Sequence, residues 1–153
     1  MGVEEVRKYF QDRNLNYEIL EFEVSTATVE LAAKALGVEP GMIAKTMSFK
    51  VKNDECLLIL AAGDKRINNK KFKATFQSKG SMLDFEEVVQ ITGHPVGGVC
   101  PFGLKNKLPI YLDISLKDYQ FVFPAAGSPM STVKIAPREL QEITGGVWVD
   151  VCN

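Results

Sequence analysis

Val3, Val6 and Phe10 repeat at the spacing of one helical face, the pattern breaks at residues 14–16, and residues 17–22 then alternate as a strand does. The chain is expected to open with a helix and then a strand. Thr26 or Thr28 is suited to cap a second helix running through Leu36 and closed by Gly37, and Pro40-Gly41 turns the chain toward a strand over residues 45–51. Asn53-Asp54 then supplies a turn into the apolar run 56–62, a hairpin signal.

Farther on, Asp84 with Glu87 three residues later has the form of a capping box, and Phe85, Val88 and Val89 continue a helix that stops at Gly93. Residues 109–114, 120–125, 131–135 and 147–151 read as short strands, and Pro137 is placed as the first residue of a helix ending near Thr144. Neighbouring strands with scattered helices predict an α+β domain with a mixed, largely antiparallel sheet, in place of a regular βαβ succession. No repeat, low-complexity tract or linker interrupts residues 1–153, which are expected to form one domain.

Composition changes this picture little: 153 residues with 46% hydrophobic and 24% charged side chains are enough for a single buried core. No run approaches the roughly 18 apolar residues of a membrane span and the first segment is charged throughout, so no membrane partner and a cytoplasmic location are expected. Cys56, Cys100 and Cys152 are far apart and lack a CxxC spacing, which argues against a disulfide framework or a zinc site; no metal or cofactor is expected. A net charge of −1 argues against a protein that coats nucleic acid by neutralising phosphates. One window stands apart. Lys65, Arg66, Lys70, Lys71, Lys73 and Lys79 fall together with no acidic residue among them, and Lys105 and Lys107 lie downstream, a pattern read either as a solvated helix face or as a local nucleic-acid contact.

Two features point to chemistry. In residues 45–52 the odd positions Met47, Phe49 and Val51 are apolar, and Lys45 shares their face, which is costly unless the side chain snorkels outward or meets an anion. The stretch GHPVGGVCPFGLKNKLP, from Gly93 to Pro109, gathers four glycines and two prolines within eleven residues around the single histidine and one cysteine. Gly97 and Gly98 permit positive φ and close approach, Pro101 holds Cys100 extended, and the N–H groups of Gly98, Val99 and Cys100 are candidates to converge on an anion or oxyanion.

Lys45-Thr46 at a strand start, GGVCPFGLKNKLPIYLD from Gly97 to Asp113, and AAGSPMSTVKIAPREL from Ala125 to Leu140 together resemble the YbaK family of aminoacyl-tRNA editing domains, related to the editing insertion of bacterial prolyl-tRNA synthetases. The likeness runs across nearly the whole chain. It implies a compact, partly barrel-like mixed sheet flanked by helices, and hydrolysis in trans of amino acids wrongly esterified to tRNA, such as cysteinyl or alanyl esters of proline tRNA. It implies further that Lys45 is the functional lysine, with Thr46 beside it. The substrate-holding loop would be Gly97, Gly98, Val99, Cys100 and Pro101, and a second wall Ala126, Gly127 and Ser128. The partners implied are the aminoacylated 3′ end and prolyl-tRNA synthetase. Some relatives carry an acidic residue near the position of Thr132, where this chain has threonine.

An aminoacyl ester is already activated, so a site that orients water and stabilises the oxyanion needs no protein nucleophile. Two other readings remain: a thiol hydrolase using Cys100 with His94, and a binding module that recognises tRNA or a synthetase without turnover.

Overall fold

The computed structural model describes residues 2–153; Met1, the first residue of the expected domain, lies outside them. In chain order it contains α1 (Val3–Asp12), β1 (Ile19–Glu21), α2 (Val29–Leu36), β2 (Ile43–Lys50), β3 (Cys56–Ala62), α3 (Asn69–Phe76), β4 (Ser81–Met82), α4 (Phe85–Thr92), β5 (Ile110–Asp113), β6 (Phe123–Pro124), β7 (Ser131–Val133), α5 (Pro137–Thr144) and β8 (Val147–Val149). Short 3-10 turns occupy Pro40–Met42, Lys52–Asp54 and Ile114–Asp118. The caps form as the sequence predicts. Thr28 accepts from the Leu31 N–H, Asp84 and Glu87 complete a capping box, Gly37 and Gly93 close their helices in the left-handed conformation, and Pro137 opens α5. The helix α3 in the basic window and the two-residue β4 have no counterpart in the periodicity reading.

The main sheet runs β4-β2-β3-β5-β8, with β6 also on β2, and β1 pairs with β7 in a smaller sheet. The β2–β3 hairpin, β2–β4 and β1–β7 are antiparallel, whereas β2–β6, β3–β5 and β5–β8 are parallel. The sheet is mixed, with most paired positions antiparallel. Bridges from Ala125 to Thr132 and from Val122 to Ile135 link β6 to β7 and so wrap the small sheet against the main one.

Residues 57–62 of β3 are all buried because the central strand is covered on both faces, which is why its sequence is a continuous apolar run. One face packs Ala44, Leu60 and Leu112 against Val6 and Phe10 of α1, Leu140 of α5 and Phe102. The other packs Phe49, Ile59 and Ala61 against Phe72 of α3 and the C-terminal Val151 and Cys152. A third cluster seats Ala32 and Ala33 of α2 on Ile43 and Phe123. This last contact puts the N-terminal end of α2 beside the start of β2, where the candidate site lies. Among the described residues no helix is long and apolar enough to cross a membrane.

Candidate active site

The outer edge of β2 is used at its two ends and open between them. Ile43 and Ala44 pair with β6, Phe49 and Lys50 pair with β4, and among the described residues 45–47 have no strand partner on that side. A cavity of about 330 Å³ opens at this gap. Its floor is Ala44, Lys45, Thr46 and Ser48 of β2, and its walls come from Thr26 and Ala27 before α2, Val96, Gly97 and Val99 of the glycine-rich loop, and Ala125 and Thr132. Met82 and Phe85 form a rim that is strongly exposed for such apolar side chains, at 63% and 73%.

Lys45 is the sole cation among the cavity-lining residues and Asp84, the cap of α4, the sole carboxylate. The Lys45 side chain shares the face of Met47 and Phe49, as the alternation predicts, and its ammonium donates to the Lys65 carbonyl. Burial pulls its pKa below the ordinary lysine value, with Cys152 and Asp64 opposing that shift. The tip of Lys45 therefore sits against the start of the basic window.

Only part of the expected clamp reaches the cavity. Lys45, Thr46, Gly97 and Val99 line it; Gly98, Cys100, Pro101, Ala126, Gly127 and Ser128 stand behind its wall. Gly97 has φ +89, as expected, and an added Cβ there would meet Ala27 Cβ at 2.9 Å. Gly98 does not adopt positive φ. It must be glycine because a Cβ would lie 2.5 Å from Ser128 N and 2.6 Å from Ser128 Cα, and its carbonyl accepts from Gly127 N–H at 3.0 Å. Its own N–H donates to the Pro95 carbonyl at 2.9 Å, so it is not the free anion donor that the sequence suggested. The glycines thus let two loops touch backbone to backbone. Pro101 instead faces a separate groove beside Tyr9 and Leu108.

The cysteine–histidine reading fails on burial. Cys100 is fully buried in the α1-side core, its thiol pushed up to about 12 by desolvation, so it is not available as a thiolate. His94 is equally buried, 3.6 Å from the Cys100 sulfur, with Nε2 2.7 Å from the Phe102 carbonyl and Nδ1 lacking a partner. Desolvation lowers its pKa and keeps it neutral. Both are packing groups of the loop.

Thr26, Ser48 and the rim residues are missing from the site that the sequence predicts, and Thr132 figures there only as a departure from relatives. Alternation alone misplaces Ser48. Ala44, Thr46 and Ser48 alternate with the apolar face and so look like a solvent face, but the covering by α2 and the glycine-rich loop leaves Ser48 only 5% exposed. In the basic window, Lys71 is committed to the fold, donating to Asp150 and to the Cys152 carbonyl at 2.9 Å each, while Arg66, Lys70, Lys73 and Lys79 are exposed.

The family profile described as the aminoacyl-tRNA editing domain matches residues 23–143, which include the whole cavity lining. An uncharacterised Bacillus subtilis (strain 168) protein, YwhH, is 48% identical over 100% of this chain and 98% of its own length. An Enterococcus faecalis protein assigned provisionally as a Cys-tRNA(Pro)/Cys-tRNA(Cys) deacylase, EbsC, is 26% identical over 92% of this chain and 88% of its own. A crystal structure described provisionally as a trans-editing enzyme for prolyl tRNA synthetase superposes with a TM-score of 0.91 at 31% identity, covering 99% of this chain and 96% of that one.

Proposed function

Because the chain belongs to the aminoacyl-tRNA editing domain family, we propose that it is an aminoacyl-tRNA deacylase acting in trans, clearing small amino acids wrongly esterified to tRNA, with proline tRNA as the carrier. The observation that carries this reading is the cavity at the open edge of β2, whose one lining cation is Lys45 and whose volume of about 330 Å³ accepts an aminoacyl group and the terminal ribose but not the body of a tRNA. Alanyl, cysteinyl, seryl and threonyl groups are all small enough. The activity ascribed to EbsC and the role ascribed to the superposed trans-editing protein support proline tRNA and a link to prolyl-tRNA synthetase. The near-equal lengths of YwhH and EbsC support action as a separate protein, and a cytoplasmic location is the one that fits this substrate.

The chemistry assigned to the site is attack of water on the activated ester while the cavity holds the 3′ end fixed. Lys45 exchanges the Lys65 carbonyl for an anionic oxygen of the substrate, either the terminal phosphate or the developing oxyanion, where its charge acts in a partly dry environment. Gly97 and Val99 bring loop backbone against the acyl group, and Thr46 borders the same space. The wall behind, Gly98, Cys100 and Pro101 with Ala126, Gly127 and Ser128, sets the shape of the loop.

Single-turnover release of free amino acid from alanyl-, cysteinyl-, seryl- and threonyl-tRNA(Pro), beside correctly charged prolyl-tRNA(Pro), tests the reading. Release from at least one mischarged tRNA at well above the spontaneous rate, with prolyl-tRNA(Pro) spared, is expected. Tight binding of all five with no release from any would make the chain a binding module.

A further inference from the structure

Four buried side-chain polar atoms among the described residues have no hydrogen-bond partner: the hydroxyls of Thr26, Thr46 and Thr132, and His94 Nδ1. The three hydroxyls all line the one cavity described above. They arrive from separate elements. Thr26 lies ahead of α2, left over because Thr28 takes the capping role, and its N–H donates to the Pro129 carbonyl at 2.7 Å. Thr46 lies two residues beyond Ala44 on the same face of β2, and Thr132 bridges Ala125 next to β6. Thr26 and Thr132 are 6% and 2% exposed, so bulk water does not satisfy them.

A buried hydroxyl without a partner is uncommon and costly, and three in one cavity amount to a site waiting for a polar ligand group. Of the other polar lining residues, Thr28 caps α2, the Lys45 ammonium donates to the Lys65 carbonyl, Asp84 is exposed and caps α4, and Ser48 lies on β2; the remainder, Ala27, Ala32, Ile43, Ala44, Val99, Phe123 and Ala125 among them, is apolar. A charged ligand group fits badly beside the three threonines, since neutral hydroxyls supply no countercharge to an α-ammonium, the one lining carboxylate, Asp84, is exposed and engaged as the cap of α4, and desolvating an ion costs far more than desolvating an alcohol. A short neutral alcohol fits well. It donates one hydrogen bond and accepts two, matching threonine hydroxyls that each can do either.

We propose that Thr26, Thr46 and Thr132 form a hydroxyl-reading subsite that selects seryl and threonyl esters over alanyl and cysteinyl ones. This rests on the deacylase reading above and ranks the substrates within it. An alanyl ester leaves all three hydroxyls unpaired, and a thiol pairs with them weakly, so the discrimination arises from what the wrong substrate fails to satisfy.

The test has two arms that fail separately. In the first, single-turnover deacylation of seryl-, threonyl-, alanyl- and cysteinyl-tRNA(Pro) is compared for the wild type and for Thr26→Val, Thr46→Val and Thr132→Val, with Thr132→Ser as the hydroxyl-retaining control. A wild-type seryl-to-alanyl rate ratio of roughly 10² or more is expected, falling at least tenfold in each valine variant and recovering in Thr132→Ser. Because each valine is nearly isosteric and removes an unpaired buried hydroxyl, the valine variants are expected to melt at or above the wild-type temperature; a merely structural role for the threonines predicts the opposite. In the second arm, non-hydrolysable 3′-amide adenosine conjugates of serine and alanine are titrated calorimetrically against the same proteins, where serine is expected to bind at least tenfold more tightly. Equal treatment of serine and alanine in either arm, or a preference for cysteine, overturns the proposal. Preferential binding of the serine conjugate with no hydrolysis of any ester keeps the subsite and sinks the deacylase reading instead.

Discussion

Lys45 carries a desolvation cost that no packing need explains. Its alkyl stem fits beside Met47 and Phe49, and a methionine would fill the same space without burying charge, so retention of the ammonium argues for use of the charge. Lys45→Met and Lys45→Ala are both expected to lose about 10²-fold in single-turnover deacylation, with Lys45→Met melting no lower than the wild type. A wild-type rate in folded Lys45→Met would remove the lysine from the mechanism. His94 makes a different residue-scale prediction. Its pKa lies below the ordinary 6.5 through burial, opposed by the hydrogen bond to the Phe102 carbonyl and then by Glu5, so the unfolded chain takes up this proton before the folded one does. Stability from His94 is then complete above pH 6.5 and is lost as the pH falls below it. Urea midpoints are expected to drop more between about pH 7.5 and about pH 5.5 in the wild type than in His94→Gln, which carries no titrating ring.

At the scale of elements, helices and caps were legible because their signals are local: Thr28, the Asp84/Glu87 box, Gly93 and Pro137 each act within one turn. The apolar run of β3 was equally plain. The floor of the site was not, since whether Thr46 and Ser48 face water or a cavity depends on what α2 and the residue 93–109 loop cover, a tertiary fact invisible to alternation. The loop shows the same limit. Its glycines announced an unusual backbone, but only the fold shows that Gly97 serves conformation and Gly98 serves contact. Gly98→Ala therefore puts a methyl group into the Ser128 backbone, and separating the loops breaks the Gly127-to-Gly98 hydrogen bond that holds the cavity wall. A loss of about 1–3 kcal/mol in stability is expected, with deacylation falling in parallel. Calorimetric unfolding beside single-turnover rates checks this, and full stability with full activity would mean that the wall yields without consequence.

For the whole molecule, the question is how a chain of net charge −1 holds a polyanion. The basic window folds as α3, whose Phe72 face is buried on the sheet while Lys70 and Lys73 remain exposed, and the loop entering it, with Lys65 and Arg66, receives the tip of Lys45. Positive charge is thus gathered on the sheet face to which the Lys45 side chain turns. This arrangement suits a protein that takes one end of a tRNA. Lys71 is a poor probe of it, because its links to Asp150 and the Cys152 carbonyl tie down the C-terminus. The double variant Lys70→Ala/Lys73→Ala is the better one: it removes two exposed charges from a helix whose buried contacts stay in place. Phosphate contacts position a nucleic acid without touching the reacting ester. The double variant is expected to raise KM for aminoacyl-tRNA about tenfold with kcat changed less than twofold, and to reduce the slope of log K against log salt by up to about two units. An unchanged salt slope, or a loss confined to kcat, would place the acceptor stem on another face of the molecule.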